Sequence, residues 1–178
     1  STLLASSAAS DVYKEAIYTG AKFTRLYFKD CYIDGTTDFI FGPSTALFED
    51  CIIHSKRNSY VTAASTPKEA KYGYVFKHCK LTAEPGVDKV YLGRPWRPYA
   101  YTLFIECELG KHIVPAGWHN WGKQSNEETA RYMEYKNTGE GANASERVAW
   151  SKQLTKKEAE AVTVDAIFST QSNWNPID

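Results

Sequence analysis

Four cysteines recur in the same hexapeptide context, and this repeat constrains the fold more than any other feature of the chain. The repeated segments are FKDCYI (28–33), FEDCII (48–53), FKHCKL (76–81) and FIECEL (104–109), and the spacings between their cysteines are 20, 28 and 28 in residue number. A further step of 28 reaches Tyr132 and Tyr135 in YMEYKN, an aromatic variant of the unit. A period of this length, with β-type residues and no helical pattern between the units, predicts a solenoid in which each repeat is one coil.

The residue types inside the repeat predict which side chains fill the core. Phe, Cys and the following Ile or Leu are expected to point inward and stack on their counterparts in neighbouring coils. The polar residue before each cysteine is expected at a bend; these residues are Asp30, Asp50, His78 and Glu106. Core packing explains the cysteines better than disulfides, metal binding or catalysis, because free Cys behaves as a small hydrophobe and zinc sites need shorter spacings.

Further apolar segments lie between the repeat units, so each coil contributes more than one strand. They are TDFIFG (37–42), NSYVTAAS (58–65), KVYLG (89–93) and GWHNWG (117–122). Several parallel sheets wrapped around one core form a parallel β-helix, and the sequence therefore predicts an all-β fold of this kind. An antiparallel sandwich would explain even spacing, but it would not explain the recurring Phe-x-x-Cys pattern.

The C-terminal part differs in composition from the repeat units and is expected to form loops and a helix that covers the coil stack. Residues 123–178 begin as polar, Gly-rich sequence, and residues 154–168 read as one amphipathic α-helix with Thr155 and Glu158 spaced as a capping box. This helix is expected to cover an open end of the coil stack. Residues 1–178 are thus predicted to be a single β-helix domain in which residues 1–12 remain unassigned.

Charge and motif content exclude several classes of function. The formal net charge is zero and no block of like charge occurs, so nucleic acid is not expected as a partner. No apolar run approaches the length that a membrane helix needs, and neither a membrane span nor a signal peptide is expected. The chain lacks an initiating Met, so we expect it to be processed or excised from something longer. GxSxG, HExxH, P-loop and GxGxxG motifs are absent, and His54, His112 and His119 are expected at the surface or in turns.

Two residues remain as candidates for chemistry, Asp38 and Arg94. Asp38 precedes the apolar run Phe39–Phe41, where an ionised carboxylate is costly unless it is compensated. Arg94 follows Asp38 at twice the repeat spacing of 28, so the two can align on one face two coils apart. A long arginine side chain can span most of that gap at roughly 4.8 Å per coil. Such a pair would keep Asp38 ionised as a nucleophile, although a purely structural ion pair is the simpler explanation of the spacing alone.

Several segments together resemble one family, the pectin methylesterases or pectinesterases. They are DGTTDFIFGPS (34–44), YVTAAS (60–65), YLGRPWRPYA (91–100), PAGWHNW (115–121) and RVAWSKQLTKKEA (147–159). The resemblance covers roughly residues 13 to 160, and it implies a right-handed parallel β-helix. It also implies a secreted or periplasmic enzyme that hydrolyses C6 methyl esters of polygalacturonate, with methyl-esterified homogalacturonan as its partner and no metal or organic cofactor.

The resemblance further assigns roles to individual residues. Asp38 would attack the ester carbonyl to give an acyl-enzyme and methanol, and Arg94 would orient and stabilise Asp38. Trp96 would stack on a sugar. Phe41, Tyr99 and Trp118 match positions that line the cleft.

Two departures from the family pattern accompany these matches. In YKEAIYTG (13–20), Lys14 and Glu15 stand where the family has Gln and Asp, so Glu15 is the expected general acid/base and Lys14 takes the oxyanion position. The family's N-terminal coils have no counterpart, and the open end is expected to be covered by self-association, by a partner chain or by residues 1–12.

These departures leave other interpretations open. One is a catalytically inactive β-helix that still binds polygalacturonate, and another is a structural solenoid fragment. A pectate lyase fits less well, because it would need a carboxylate cluster for calcium.

Overall fold

The computed structural model of the chain describes residues 16–169 and residue 176. Within these residues the strands are, in chain order, β1 (Ile17–Tyr18), β2 (Arg25–Lys29), β3 (Tyr32–Gly35), β4 (Ile40–Gly42), β5 (Thr45–Glu49), β6 (Ile52–Ser55), β7 (Tyr60–Ala64), β8 (Tyr74–Lys77), β9 (Lys80–Ala83), β10 (Tyr91–Gly93), β11 (Tyr101–Ile105), β12 (Glu108–Leu109), β13 (Arg131–Tyr135) and β14 (Lys152–Gln153). The helices are α1 (Ser125–Thr129), α2 (Lys156–Glu160) and α3 (Val164–Phe168), with a 3₁₀ turn at Ala144–Glu146.

The strands form three parallel sheets that the chain visits in turn. A four-stranded sheet has the order β1-β4-β7-β10, a six-stranded sheet has β14-β13-β11-β8-β5-β2, and a second four-stranded sheet has β12-β9-β6-β3. Each strand pairs with the equivalent strand of the next coil. The predicted parallel β-helix is therefore confirmed.

Each coil turns from the six-stranded sheet into the second four-stranded sheet at a residue with left-handed backbone. These residues are Asp30, Asp50, His78, Glu106 and Lys136, with φ between 47° and 54°. The first four are the polar residues before the cysteines, and their predicted position at a bend is confirmed. Left-handed backbone costs a non-glycine residue roughly 1–2 kcal/mol, so its recurrence marks a corner that every coil needs.

The core consists of ladders of identical side chains, as the repeat predicts. The rings of Phe28, Phe48, Phe76 and Phe104 stack with centroids 4.8, 4.5 and 4.4 Å apart. All four cysteines are free, and three of them, Cys51, Cys79 and Cys107, are buried. Hydrogen bonding to Cys79 and burial raise the pKa of the Cys51 thiol, so it stays protonated and serves as packing.

The fifth repeat unit does not follow the step of 28. Phe104 pairs with Glu134, and Ile105 pairs with Tyr135, so the step here is 30 in residue number. The predicted equivalence of Tyr132 and Tyr135 to Phe104 and Cys107 is therefore wrong. The longer step reflects the longer connection that carries α1.

The predicted single helix over 154–168 is also wrong, because the segment forms α2 and α3 with a break between them. The capping box of Thr155 and Glu158 is confirmed at the start of α2, and the Thr163 side chain caps α3 by accepting a hydrogen bond from the Ala166 N–H. Residues of both helices pack on the outer face of the six-stranded sheet, where the outward apolar residues are Leu47, Val75, Leu103 and Ile105. The helices thus cover this face rather than an end of the stack, because its apolar surface would otherwise meet water.

In the described part of the chain, no helix combines the length and the apolar character needed to cross a membrane.

Candidate active site

Asp38 lies in the turn that leads into β4. Its backbone is left-handed, with φ of 50°, and its N–H donates to the Tyr60 carbonyl oxygen at 2.9 Å. The next two residues, Phe39 and Ile40, are fully buried, whereas the Asp38 side chain keeps 19% of its surface exposed. The strained turn therefore lets a carboxylate precede an apolar run without entering the core. Strain of this kind often occurs at functional sites.

Arg94 compensates the Asp38 carboxylate with two hydrogen bonds. The side chain follows β10 and crosses the intervening strand β7, so that Nε donates to Oδ1 at 3.0 Å and Nη2 donates to Oδ2 at 2.7 Å. The predicted ion pair is present, but the predicted alignment of the two residues is wrong. Thr62 pairs with both Ile40 and Gly93, so Arg94 is not level with Asp38 and its side chain reaches back to it. A bidentate arginine–carboxylate contact fixes orientation as well as charge.

Two aromatic rings enclose the Arg94 guanidinium, and sequence reasoning missed both. Arg94 Cζ is 3.8 Å from the ring centroid of Tyr60 and 3.7 Å from that of Trp121. Two rings so close to one planar group must lie on its opposite faces. The one signal in the sequence was that both residues belong to segments quoted for the family resemblance, YVTAAS and PAGWHNW.

His119 contacts both residues that enclose Arg94: its ring packs on Tyr60, and it bonds the Trp121 backbone. Its ring is 5.5 Å from Tyr60 and 5.3 Å from Tyr91, and its Nδ1 accepts a hydrogen bond from the Trp121 N–H at 3.0 Å. Burial, and next the charge on Arg94, lower the pKa of His119 below its usual 6.5. The ring is therefore neutral near pH 7 and can act as an acceptor.

A row of aromatic side chains runs beside Asp38, and we call Tyr18, Phe41 and Trp96 the aromatic row. Tyr18 is 5.2 Å from Phe41, and Phe41 is 6.0 Å from Trp96, measured between ring centroids. Tyr18 and Trp96 are 60% and 37% exposed.

A cleft flanks Trp96 on each side. One of about 300 Å³ is shared with Trp121, and one of about 380 Å³ is shared with Tyr18. The structure thus brings Phe41 and Trp96 together at an open surface; Phe41 follows Asp38 by three residues and Trp96 follows Arg94 by two.

Tyr99 lies in the loop after Trp96, with φ of 66°. The Lys68 ammonium is 5.2 Å from its ring centroid, and its carbonyl oxygen accepts hydrogen bonds from Arg131. Its role in a cleft stays a prediction.

Trp118 does not line a cleft, and that expectation is wrong. The side chain is 1% exposed, its ring is 4.3 Å from Tyr132 and 5.9 Å from Phe104, and its indole N–H donates to Glu134 at 3.3 Å. It continues the aromatic stack of the core, where its large apolar surface is better buried than exposed. Trp121, three residues later, faces Arg94 instead.

The expected acid/base residue Glu15 and the expected oxyanion residue Lys14 lie outside the described residues. The described chain resumes just after them, where the Ile17 N–H donates to the Phe39 carbonyl oxygen at 2.6 Å and β1 pairs with β4. Among the described residues, no group of three or more His, Cys, Asp or Glu side chains could hold a metal ion.

An ionised carboxylate that is held rigidly and partly open to solvent has the properties of a nucleophile for a carbonyl carbon. The aromatic row offers a flat apolar surface for a ring-shaped substrate, since exposed aromatic faces suit such contacts.

Comparison with known proteins agrees with this geometry. The sequence model described as Pectinesterase matches residues 4–171. The chain is 45% identical to Pectinesterase 31 of Arabidopsis thaliana over 134 residues, covering 75% of this chain and 42% of that protein. It is 36% identical to Probable pectinesterase A of Neosartorya fischeri, covering 92% of this chain and 48% of that protein.

Solved structures give the same result. The pectin methylesterase from carrot superposes with a TM-score of 0.78 at 34% identity, covering 83% of this chain and 51% of that one. A pectin methylesterase solved in complex with a hexasaccharide superposes with a TM-score of 0.72 at 29% identity, covering 85% of this chain and 52% of that one. The chain spans about half the length of the proteins it matches.

Proposed function

Because the chain belongs to the pectinesterase family, we propose that it is a carboxylic ester hydrolase that removes C6 methyl groups from polygalacturonate with Asp38 as its nucleophile. The observation that carries this proposal is the bidentate contact of Arg94 with Asp38 beside the aromatic row. A structural ion pair alone would not require the Asp38 carboxylate to stay 19% exposed on the segment that carries Phe41 of the aromatic row.

Asp38 would act in two steps. One carboxylate oxygen attacks the ester carbonyl carbon, the C–O bond to the methoxy group breaks, and methanol leaves with a proton from the general acid. Water then attacks the resulting acyl-enzyme, and the same group, now a base, takes a proton from that water. The product is a free galacturonate carboxylate, and Asp38 is restored.

Arg94 would hold the Asp38 carboxylate in one orientation for its attack on the ester. Its two donors engage both carboxylate oxygens in the resting state, which fixes the plane of the carboxylate before substrate arrives.

Phe41 and Trp96 would bind the sugar. Galacturonate presents C–H groups on its ring face, and the exposed indole of Trp96 suits stacking against them. Tyr99 would contribute at the edge of this surface. The solved relative with a bound hexasaccharide supports an oligosaccharide ligand.

Glu15 is the proposed general acid/base, and Lys14 is the proposed cation for the oxyanion. The pairing of β1 with β4, just after Glu15, supports this assignment because β4 follows Asp38 directly. Glu has a longer side chain than the family's Asp, and misplacement of a catalytic group by about 1 Å can cost about 10²-fold in rate. We therefore expect a slower enzyme than its relatives.

The test is methanol release from methyl-esterified pectin. Asp38→Asn should lower the rate by more than about 10³-fold, as loss of a nucleophile does in covalent hydrolases. Asp50→Asn is the matched control, because Asp50 also has left-handed backbone, with φ of 54°, but lies at a corner of the coil. Glu15→Asp should raise the rate if the longer carboxylate limits the reaction.

The inactive alternative predicts a different outcome. If the unmodified chain binds pectin but releases no methanol, and Glu15→Asp does not restore release, the protein is a polygalacturonate-binding β-helix rather than an enzyme. The exposed aromatic row favours binding of pectin in either case.

Partners and location follow from the substrate. We propose that methyl-esterified homogalacturonan is the partner and that the protein acts outside the cytoplasm, in a secreted or periplasmic setting, because pectin is a cell-wall polymer.

We also propose that β1, β2 and β3, the terminal strands of their sheets among the described residues, are covered by a second copy, by a partner chain or by residues 1–12. Leu26 and Phe28 are only partly buried at this end. Light scattering of the purified chain should give a mass above 20.1 kDa if a second copy covers this end, and a fully folded, monodisperse monomer with no segment over that end would contradict the proposal.

A further inference from the structure

We infer that Tyr60, Trp121 and His119 are positioning residues that hold Arg94, and through it Asp38, in the geometry needed for the reaction. The inference rests on the proposed function for its kinetic consequences, but its structural basis is independent of it. We call the three side chains the arginine clamp.

Tyr60 and Trp121 confine the plane of the Arg94 guanidinium. With ring centroids 3.8 and 3.7 Å from Cζ on opposite faces, the guanidinium cannot tilt without meeting Tyr60 or Trp121. Bidentate bonding to Asp38 requires the guanidinium and the carboxylate to lie nearly in one plane. An unconfined arginine side chain can adopt many rotamers, most of which do not place both donors on the carboxylate. The clamp excludes orientations of Arg94 that would break the bidentate contact with Asp38.

His119 in turn holds the backbone of Trp121 in place through a hydrogen bond. Trp121 has left-handed backbone, with φ of 62°, and its N–H is directed to His119 Nδ1 at 3.0 Å. The neighbouring Asn120 secures the same turn, since its Oδ1 accepts from the Gly122 N–H at 2.8 Å and its Nδ2 donates to Glu127 at 2.7 Å. A tryptophan on a turn tied at several points has little freedom to move away from Arg94.

The clamp, together with Tyr91, spans three coils. Tyr60 opens β7, Tyr91 opens β10 directly beside it, and their rings are 5.2 Å apart. His119 packs on both rings from the following loop. The group that holds Arg94 is therefore assembled from the coil between Asp38 and Arg94, the coil of Arg94 itself and the next one.

Binding of the substrate is a second role that must be distinguished from positioning for Trp121. Trp121 also lines the cleft of about 300 Å³ beside Trp96, so it could instead contact the sugar. Loss of a sugar contact raises KM, whereas loss of a positioning group lowers kcat with little change in KM.

The kinetic test compares Trp121→Ala with Trp121→Phe in methanol release from pectin. We expect Trp121→Ala to lower kcat by about 10-fold or more, with KM within about 2-fold of the unmodified chain, because small displacements of reacting groups are costly. Trp121→Phe keeps an aromatic face over Arg94 and should restore kcat to within about 3-fold. A raised KM with unchanged kcat in Trp121→Ala would overturn the inference.

The His119 position provides a second pair of variants. His119→Asn retains an acceptor oxygen close to the place of Nδ1, whereas His119→Leu removes the acceptor while keeping an apolar side chain. We expect His119→Leu to lower kcat and His119→Asn to retain most of it. Equal losses in both variants would show that His119 serves packing alone.

A readout without catalysis keeps this test separate from the proposed function. The Arg94 Nε–H resonance, assigned with Arg94→Lys, should exchange slowly with water in the unmodified chain and in Trp121→Phe. It should exchange faster in Trp121→Ala, because the hydrogen bond to Asp38 opens more often. Unchanged exchange in Trp121→Ala would refute the clamp, even in a chain that releases no methanol.

Discussion

The acid sensitivity of the fold should depend strongly on one buried histidine. His112 lies in a turn and is 3% exposed, and its Nε2 has no hydrogen-bond partner among the described residues. The expected turn position is correct, but the surface position is not. Burial, and next the charge of His54, lower the pKa of His112 from 6.5 to about 4.

The sign of the effect follows from proton linkage. The unfolded state binds a proton at His112 more readily than the folded state, so the contribution to stability is fully present above about pH 6.5 and is lost as the pH falls towards 4. With these two pKa values, acidification from pH 7 to pH 4.5 should cost about 2–3 kcal/mol of unfolding free energy at this residue, since one pKa unit corresponds to about 1.4 kcal/mol.

The assay is urea denaturation of the unmodified chain and of His112→Gln at pH 7 and pH 4.5. The stability lost on acidification should be about 2–3 kcal/mol smaller in His112→Gln. His78→Gln, where the side chain is 46% exposed, controls for the loss of a histidine as such. If the unmodified chain and His112→Gln lose the same stability between the two pH values, the fold does not hold His112 neutral.

Three further predictions concern the free energy of unfolding. Arg147→Met should lower it by about 3–5 kcal/mol, because the buried Glu134 loses its ion-pair partner at 2.8 Å. Adding Glu134→Leu should recover most of this loss, and urea denaturation that shows no recovery would contradict the reasoning. Phe76→Ala should cost about 3–5 kcal/mol by the same measurement, because it opens the middle of the phenylalanine stack, and a cost below about 1 kcal/mol would mean that the stack collapses around it. Gly93→Ala should lower the melting temperature, because its Cβ would lie 2.1 Å from Thr62 Oγ1, and Thr62→Ala should offset this loss; thermal melts check both.

The core was predictable because it follows the repeat. Phe, Cys and Ile or Leu occupy the same place in each unit, and parallel stacking makes every coil a template for the next. The ion pair does not follow the same regularity. Ile40 pairs with Thr62 and Thr62 with Gly93, steps of 22 and 31 in residue number rather than two steps of 28, and the long Arg94 side chain reaches back to Asp38.

The errors occur where the coil length changes. Tyr135 was placed against Cys107 because the step of 28 was assumed to continue, but the connection with α1 lengthens that coil and puts Asn137 there, where its Oδ1 accepts from the Cys107 N–H at 2.9 Å. The two tryptophans of PAGWHNW were indistinguishable by pattern. The left-handed backbone of Trp121 turns it towards Arg94, while Trp118 enters the core.

The amino-acid sequence alone determined the fold class, the inward residues of each coil and the corners, because each depends on a local pattern that repeats along the chain. Only the tertiary structure decided which aromatic rings enclose Arg94, which histidine supports them and which face the C-terminal helices cover. Those contacts join turns from different coils, and their geometry depends on loop length and on single backbone angles that no periodic pattern encodes.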